Sequence, residues 1–439
     1  MSDFGAGYGS LLNDGYLPRI IEGRIAEGLE DFGAVCIEGA KYCGKTWVGQ
    51  AFANSEMNLM DPAGGFQNRE IALLDPSTAL QGDSPRLIDE WQEAPQLWDG
   101  VRNAVDRSGK RDSFILTGSS IPRSKADGSE PMHTGVGRIE KLRMRPMSLA
   151  ESGDSTGEVS LAALFEGTVP SAKAPELGLS DLLELACRGG WPATVGRPST
   201  RAQRVARSYV REICEQDMSR VDGIGRDPEK VSRLLHSLAR NMEQATKNKT
   251  VIGDMTETAT EKSLSPETVT DYLHALSRIF VLEEIGSWSP NIRSGARINK
   301  RPKYHFVDPS IPVAILKTSA KALMRDLNLF GFVFECMCVR DILVYAQAIE
   351  AEVYYYRDSA GLEVDVVVEA ADGSWAGMEV KLGHSKVEEG TKNLKALRRK
   401  VVEGGGEEPA FLAVIEGLGS YAYAREDGVY VLPLATLTA

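Results

Sequence analysis

Eight residues near the start of the chain, Gly39-Ala40-Lys41-Tyr42-Cys43-Gly44-Lys45-Thr46, fit the pattern G-x-x-x-x-G-K-[ST]. These residue types suit the holding of a polyphosphate. Glycines let backbone N–H groups wrap phosphate oxygens, and a helix beginning at the loop's end adds positive potential. Lys45 is placed to reach the β- and γ-phosphates, and the Thr46 hydroxyl to ligate Mg²⁺. Further on, Leu87-Ile88-Asp89-Glu90 reads as an apolar strand ending in two acids. Asp89 is placed to hold Mg²⁺, directly or through water, and Glu90 to polarise an attacking water. The second acid favours hydrolysis, because binding alone has no use for it. After the next strand comes Thr117-Gly118-Ser119-Ser120, where Ser119 is the candidate sensor of a γ-phosphate and an ordinary turn is the competing reading. Arg123 and Arg138 follow as candidate arginine fingers.

A second constellation lies toward the C-terminus: Asp365 in one strand-like segment, and Glu379-Val380-Lys381 in the next. The two-residue period of a strand puts Glu379 and Lys381 on one face. A hairpin between the segments brings Asp365 to them. Two carboxylates would hold a hard divalent ion such as Mg²⁺, and Lys381 would orient or activate a water against a phosphodiester. Glu335, on a preceding helix, is a supporting acid. The bland alternative is charged residues at strand ends in a catalytically silent domain. Between Ser287 and Tyr304 stand Arg293, Arg297, Lys300, Arg301 and Lys303, with no acid among them. Such a basic loop suits phosphate contact with DNA, or a surface that grips protein.

Elements must position these groups. Ala34–Ile37, 58–60, 86–88 and 113–116 read as central strands, and helical patterns cover Lys45 to Ala53 and Gln96 to Arg107. Strands alternating with helices argue for a parallel sheet covered on both faces. Residues 151–175 read as a connector. Residues 178–245 are helical in pattern, broken by Arg188-Gly189-Gly190-Trp191-Pro192. Ser265-Pro266-Glu267 is a helix start. The order over 228–320 is helix, turn, capped helix, strand, basic loop, strand, which suits a winged helix. A helix over 332–347, strands over 352–357, 363–369 and 375–381, a basic helix over 388–402 and a strand over 410–415 complete a mixed α/β end.

The 439 residues carry a net charge of −12, from 50 basic and 62 acidic residues. That argues against nonspecific coating of nucleic acid, though not against a local basic surface. With 42% hydrophobic and 26% charged residues, the composition is that of a globular protein. No stretch reaches the roughly 18 apolar residues of a spanning helix, and the N-terminus lacks a secretory pattern, so no membrane is expected and the expected location is the cytoplasm. The six cysteines form no CxxC pair and no cysteine–histidine cluster of zinc-finger spacing, and read as reduced, buried thiols.

The order of motifs resembles a family of AAA-type P-loop ATPases of bacteria and archaea. The resemblance rests on Tyr16-Leu17-Pro18-Arg19, residues 39–46, 87–92 and 116–120, the Arg188–Pro192 segment, and the stretches 361–369 and 378–383. The loop interior Lys41-Tyr42-Cys43 departs from the Pro-Arg-Gln-Val type associated with that family. The resemblance implies an α/β ATPase core over 1–165, a helical lid over 176–227, a winged helix over 228–320, and a restriction-endonuclease-like domain of the PD-(D/E)xK type over 325–439. It further implies ATP and Mg²⁺ as ligands, self-association and a DNA-related role. Arg19 and Trp47 are the expected nucleotide contacts outside the loop. The alternative is a regulatory ATPase switch whose C-terminal parts bind protein and cut nothing.

Overall fold

The apolar run Ala34–Ile37 is the centre of a parallel sheet in the computed structural model, which describes residues 9–121, 134–244, 248–255, 265–291 and 301–439. By its internal contacts the chain forms two units. The first comprises Met1–Pro146, Gln216–Arg226 and His274–Val281; the second comprises Met147–Glu215, Asp227–Leu273 and Leu282–Ala439. This grouping differs from the four consecutive segments expected above.

In the first unit, β1 (Ala34–Gly39), β2 (Ser55–Asn58), β3 (Arg86–Asp89), β4 (Phe114–Gly118) and β5 (Ile139–Met144) form a five-stranded sheet in the order β2-β3-β4-β1-β5. Every pair is parallel. All six residues of β1 are buried, as expected of a strand covered on both faces. The strand expected at 58–60 falls earlier, at β2: this edge strand is polar and only half-buried, so hydrophobicity did not mark it. Helix Lys45–Phe52 leaves the end of β1, and helix Leu97–Ser108 ends at Gly109, which takes the left-handed conformation with φ +61°. Trp91, Trp98, Val101, Phe114 and Leu116 pack into one core, with the two indole rings 5.0 Å apart. Since β4 lies between β1 and β3, its C-terminal end sits between the phosphate loop and the paired acids.

The second unit is built on a seven-stranded sheet. Its strands are β7 (Ala172–Lys173), β10 (Glu352–Arg357), β11 (Glu363–Glu369), β12 (Trp375–Lys381), β13 (Phe411–Glu416), β14 (Tyr421–Ala424) and β15 (Tyr430–Pro433). Their order is β10-β11-β12-β13-β15-β14-β7. β6 (Val159–Ser160) pairs with β16 (Leu437–Thr438), and β8 (Leu282–Ile285) with β9 (Lys303–Phe306) as an antiparallel ribbon. Residues 151–175 are therefore no connector: β6 and β7 complete edges of C-terminal strands, pairing too short to leave a periodic signal. Helix Val387–Glu403 packs on β12 and β13, and Leu394, Leu397, Trp375, Leu412 and Val414 share its core. Helix Pro266–Arg278 starts where expected, with the Ser265 hydroxyl accepting from the Thr268 N–H. Helix Leu327–Ala348 begins earlier than expected, because Asp326 caps it by accepting from the Leu329 N–H. The Arg188–Pro192 segment is a structural pin: Asp308 accepts from the Gly190 N–H, and Trp191 donates to Ser310. No helix among the described residues is long and apolar enough to cross a membrane.

Candidate functional site

The phosphate loop of the first unit runs from the end of β1 into helix Lys45–Phe52. Gly39 passes so close to β5 that a Cβ there would lie 2.1 Å from the Met144 carbonyl oxygen, and Gly44 turns the chain with φ +103°. The first N–H groups of the helix have no partner within it, so they face whatever the loop encloses. Lys45 is buried and donates across the loop to the Ala40 carbonyl at 2.9 Å. Arg19 supports the loop from behind, donating to the carbonyls of Cys43 (2.8 Å) and Arg145 (2.7 Å). These two bonds tie the guanidinium to the backbone of the loop and of the residue that follows β5. Lys41 pairs with Asp217 at 2.6 Å, while Tyr42, in the middle of the loop, and Trp47, just past it, stand exposed. Ala40 and Cys43 are buried.

The paired acids face this loop. Asp89 accepts from the Thr46 hydroxyl at 2.9 Å and from the Thr117 hydroxyl. Burial, reinforced by Glu90 and Glu56, holds its pKa above the usual carboxylate range against these two hydrogen bonds. Glu90 adopts φ +60°, a conformation that costs a non-glycine residue on the order of 1 kcal/mol and marks functional positions. Its carboxylate accepts from Ser119 at 2.8 Å and from Gln92, and its N–H donates to Thr117. Lys45, Thr46, Asp89, Glu90 and Ser119 are thus assembled around one loop. Thr117 and Gln92 join them without having been given a role, although both lie inside the stretches 116–120 and 87–92. Arg138 pairs with Asp106 at 2.7 Å on a half-exposed surface, and Arg123 lies outside the described residues.

In the second unit β11 and β12 pair up to Val366 and Met378, and Asp365 and Glu379 are the next residues beyond that last pair. The Val380 N–H donates to Asp365 at 2.8 Å. Lys381 bonds Glu379 and lies 3.7 Å from Asp365. Burial and Asp365 push the Glu379 carboxyl up to about 8, with Lys381 opposing. Helix Val387–Glu403 comes close at Gly390, where a Cβ would meet the Glu379 side chain at 3.2 Å, and Asn393 donates to Glu379. Glu335 joins the cluster, its pKa raised by burial and by Asp365.

One expectation is overturned here. Lys303 is not an outward wing residue: only 3% of its side chain is exposed, and it lies 3.1 Å from Glu363 and 3.5 Å from Glu335. Burial lowers its pKa, but Glu335, Asp365 and Glu363 raise it by more. As the first residue of β9 it alternates inward, and the acids on β11 and on the helix bearing Glu335 hold it there. Arg301 stays exposed, its carbonyl accepting from the Tyr355 hydroxyl at 2.6 Å. Arg293, Arg297 and Lys300 lie outside the described residues.

Three segments match known families: residues 31–153 the family described as AAA domain, 179–322 the Domain of unknown function DUF8612, and 330–437 the Domain of unknown function DUF4143. The segment that carries the phosphate loop and the paired acids thus matches AAA domains. The chain is similar to an uncharacterized protein of Mycobacterium tuberculosis and to one of Mycobacterium bovis, each 24% identical over 300 residues. That match takes in 67% of this chain and spans 58% of the length of those relatives. Among solved structures it is similar to a Walker-type ATPase of Pyrococcus abyssi, at 15% identity and TM-score 0.43, covering 70% of this chain and 97% of that one. It is also similar to the ORC2 protein of Aeropyrum pernix, at 12% identity and TM-score 0.32, covering 72% of this chain and 98% of that one.

Proposed function

We propose that the chain is an Mg²⁺-dependent ATPase that works on DNA as a homo-oligomer. The observation that carries the ATPase reading is the Thr46–Asp89 contact across the phosphate loop, with Glu90 held beside it. Thr46 and Asp89 are adjacent oxygen donors and fit Mg²⁺. The ion supplies charge neutralisation at phosphate oxygens. The chain's own residues do the rest. Backbone N–H groups of the loop and the Lys45 ammonium bind the β- and γ-phosphates. Glu90 orients water and takes its proton, and Ser119 and Gln92 fix the Glu90 carboxylate until substrate arrives. Arg138 or Arg123 of a neighbouring copy completes the charge around the γ-phosphate.

In the same reading β8 and β9 form the wing of a winged helix, and the C-terminal unit is PD-(D/E)xK-like. Asp365 and Glu379 would hold a divalent ion, and Lys381 would orient a water toward a phosphodiester. The DNA part is supported by that cluster and by the basic residues Arg293, Arg297, Lys300 and Arg301. A specific observation favours the second reading, a regulatory switch that binds protein: Lys303 faces acids, which takes one cation from the wing, and Lys381 is paired between the two carboxylates. ATP turnover measured with single-stranded, duplex and branched DNA separates the two. Stimulation by DNA, lost on replacing Arg297, Lys300 and Arg301 with alanine, supports the first. Turnover indifferent to every DNA form favours the switch, and absence of turnover with Mg²⁺ removes both.

A further inference from the structure

The sequence holds no cysteine and histidine at zinc-finger spacing, yet the fold brings one of each together. In the second unit Glu243, His305 and Cys336 are all buried, and one ligand atom from each lies within 4.8 Å of the others. They come from three separate elements: the turn after helix Pro228–Arg240, strand β9, and helix Leu327–Ala348. His305 Nδ1 lies 2.8 Å from a Glu243 oxygen, and the ring is fully buried. Its other nitrogen, Nε2, has no hydrogen-bond partner. A neutral ring leaves the buried Glu243 carboxylate to the attraction of the Lys303 ammonium, which is already shared among Glu335, Asp365 and Glu363. An imidazolium balances the carboxylate but carries an Nε2–H with no acceptor, which is costly in a protein interior. Glu243 is further held at φ +56°, a strained conformation for a glutamate. Burial keeps the Cys336 thiol protonated, and it touches the Phe306 carbonyl oxygen at 3.3 Å.

We propose that Glu243, His305 and Cys336 form a zinc site that staples the β8–β9 ribbon to the helix carrying Glu335. A carboxylate and a thiolate bring two negative charges, so a divalent ion makes the buried group neutral. A thiolate and an imidazole exclude Mg²⁺ and Ca²⁺, which take oxygen, and a mixed sulfur, nitrogen and oxygen set suits Zn²⁺. The fourth position falls to the Phe306 carbonyl or to a water. Binding forms the Zn–S bond and breaks the S–H bond of Cys336; the proton leaves to solvent, and no electron is transferred. The inference is independent of whether the carboxylate–lysine cluster cleaves anything.

The test uses the full chain, expressed with added zinc and passed through a weak chelator. Elemental analysis is expected to give about one zinc per chain, falling at least about tenfold in Cys336→Ala and in His305→Gln, while Cys338→Ala keeps its metal. Refilling with Co²⁺ is expected to give a thiolate-to-cobalt charge-transfer band in the near ultraviolet, absent in Cys336→Ala. Circular dichroism checks that each variant is folded, and if Cys336→Ala is not, His305→Gln carries the comparison. Folded wild-type protein with less than about 0.1 zinc per chain and no cobalt band overturns the proposal. Zinc retained by both variants overturns it equally, because the metal is then held elsewhere.

Discussion

The phosphate loop and the carboxylate–lysine cluster both gather acids and a lysine at strand ends, but they manage charge in opposite ways. At the loop, Lys45 rests on a backbone carbonyl and Asp89 on two hydroxyls. These are neutral partners, which an incoming phosphate or cation replaces at little electrostatic cost. At the cluster, Lys381 sits between Asp365 and Glu379, and Lys303 between Glu335 and Glu363. There the cations are built in, and any ligand must compete with them. Burial above all, reinforced by neighbouring acids, raises carboxyl pKa values at both places. One site is arranged to accept a charged ligand; the other already holds part of its counter-charge.

The largest effects are expected at the loop, where charge partners are exchanged during function. Lys45→Ala is expected to abolish nucleotide binding and turnover together. Glu90→Gln is expected to lower turnover by about 10²-fold or more while ATP stays bound, because an amide cannot take the water's proton. Equilibrium binding of a fluorescent ATP analogue beside a phosphate-release assay reads both. A Glu90→Gln enzyme turning over at the wild-type rate takes Glu90 out of the mechanism.

This contrast also explains what could be read in the sequence. The loop site is contiguous: eight residues in a row, then an apolar strand ending in two acids, so its members and roles follow from spacing. Asp365, Glu379 and Lys381 were legible because a two-residue period and one hairpin suffice to join them. Lys303 was misplaced for the converse reason. It follows a run of basic residues, and only pairing of β9 with β8, set against acids more than thirty positions away in sequence, turns it inward. His305 and Cys336 meet through the same strand, so no spacing rule relates them. β6 and β7 went unseen because two-residue strands carry no period. Thr117 was visible as a residue but not as a partner of Asp89, since that depends on β4 lying between β1 and β3.

Next in size is the consequence of removing a built-in cation. Lys303→Met leaves Glu335 and Glu363 without their buried partner, and breaking such a pair costs about 3–5 kcal/mol. Denaturant unfolding of the second unit at neutral pH should show it. The loss should shrink as pH falls, because Glu335, whose pKa burial and Asp365 already raise, then takes up a proton and is no longer a charge. A loss independent of pH would assign Lys303 a packing role only.

A smaller, graded effect concerns the competition at the cluster. With Glu379 pushed up to about 8, a divalent ion must displace its proton at neutral pH. The sign follows: affinity for Mn²⁺ rises with pH toward about 8, by up to about tenfold per unit, and levels off above it. Titration followed by Mn²⁺ paramagnetic resonance between pH 6 and 9 checks this. Asp365→Asn should weaken binding throughout and lower the pH of the plateau, because Asp365 is the next largest cause of the raised pKa. Affinity flat across that range would mean that Glu379 is not a ligand.

The smallest effect on the folded chain is expected at Arg138→Ala. Arg138 pairs with Asp106 on a half-exposed surface, where solvent and mobile ions do most of what the partner does. Melting temperature and nucleotide affinity should therefore stay as in the wild type. Turnover is a separate matter, because an arginine acting from a neighbouring copy contributes only when copies associate. The expected pattern is a turnover that rises with protein concentration in the wild type and loses that rise in Arg138→Ala. Doping the variant with Glu90→Gln, which keeps its arginine but lacks the base, should restore part of the activity, since mixed contacts in which Arg138→Ala supplies the site and Glu90→Gln the arginine join a good base to a good arginine. If specific activity is constant with concentration in both proteins and doping restores nothing, Arg138 acts only as the partner of Asp106. The loop would then be a self-sufficient site, and the contrast with the cluster would lie wholly within single chains.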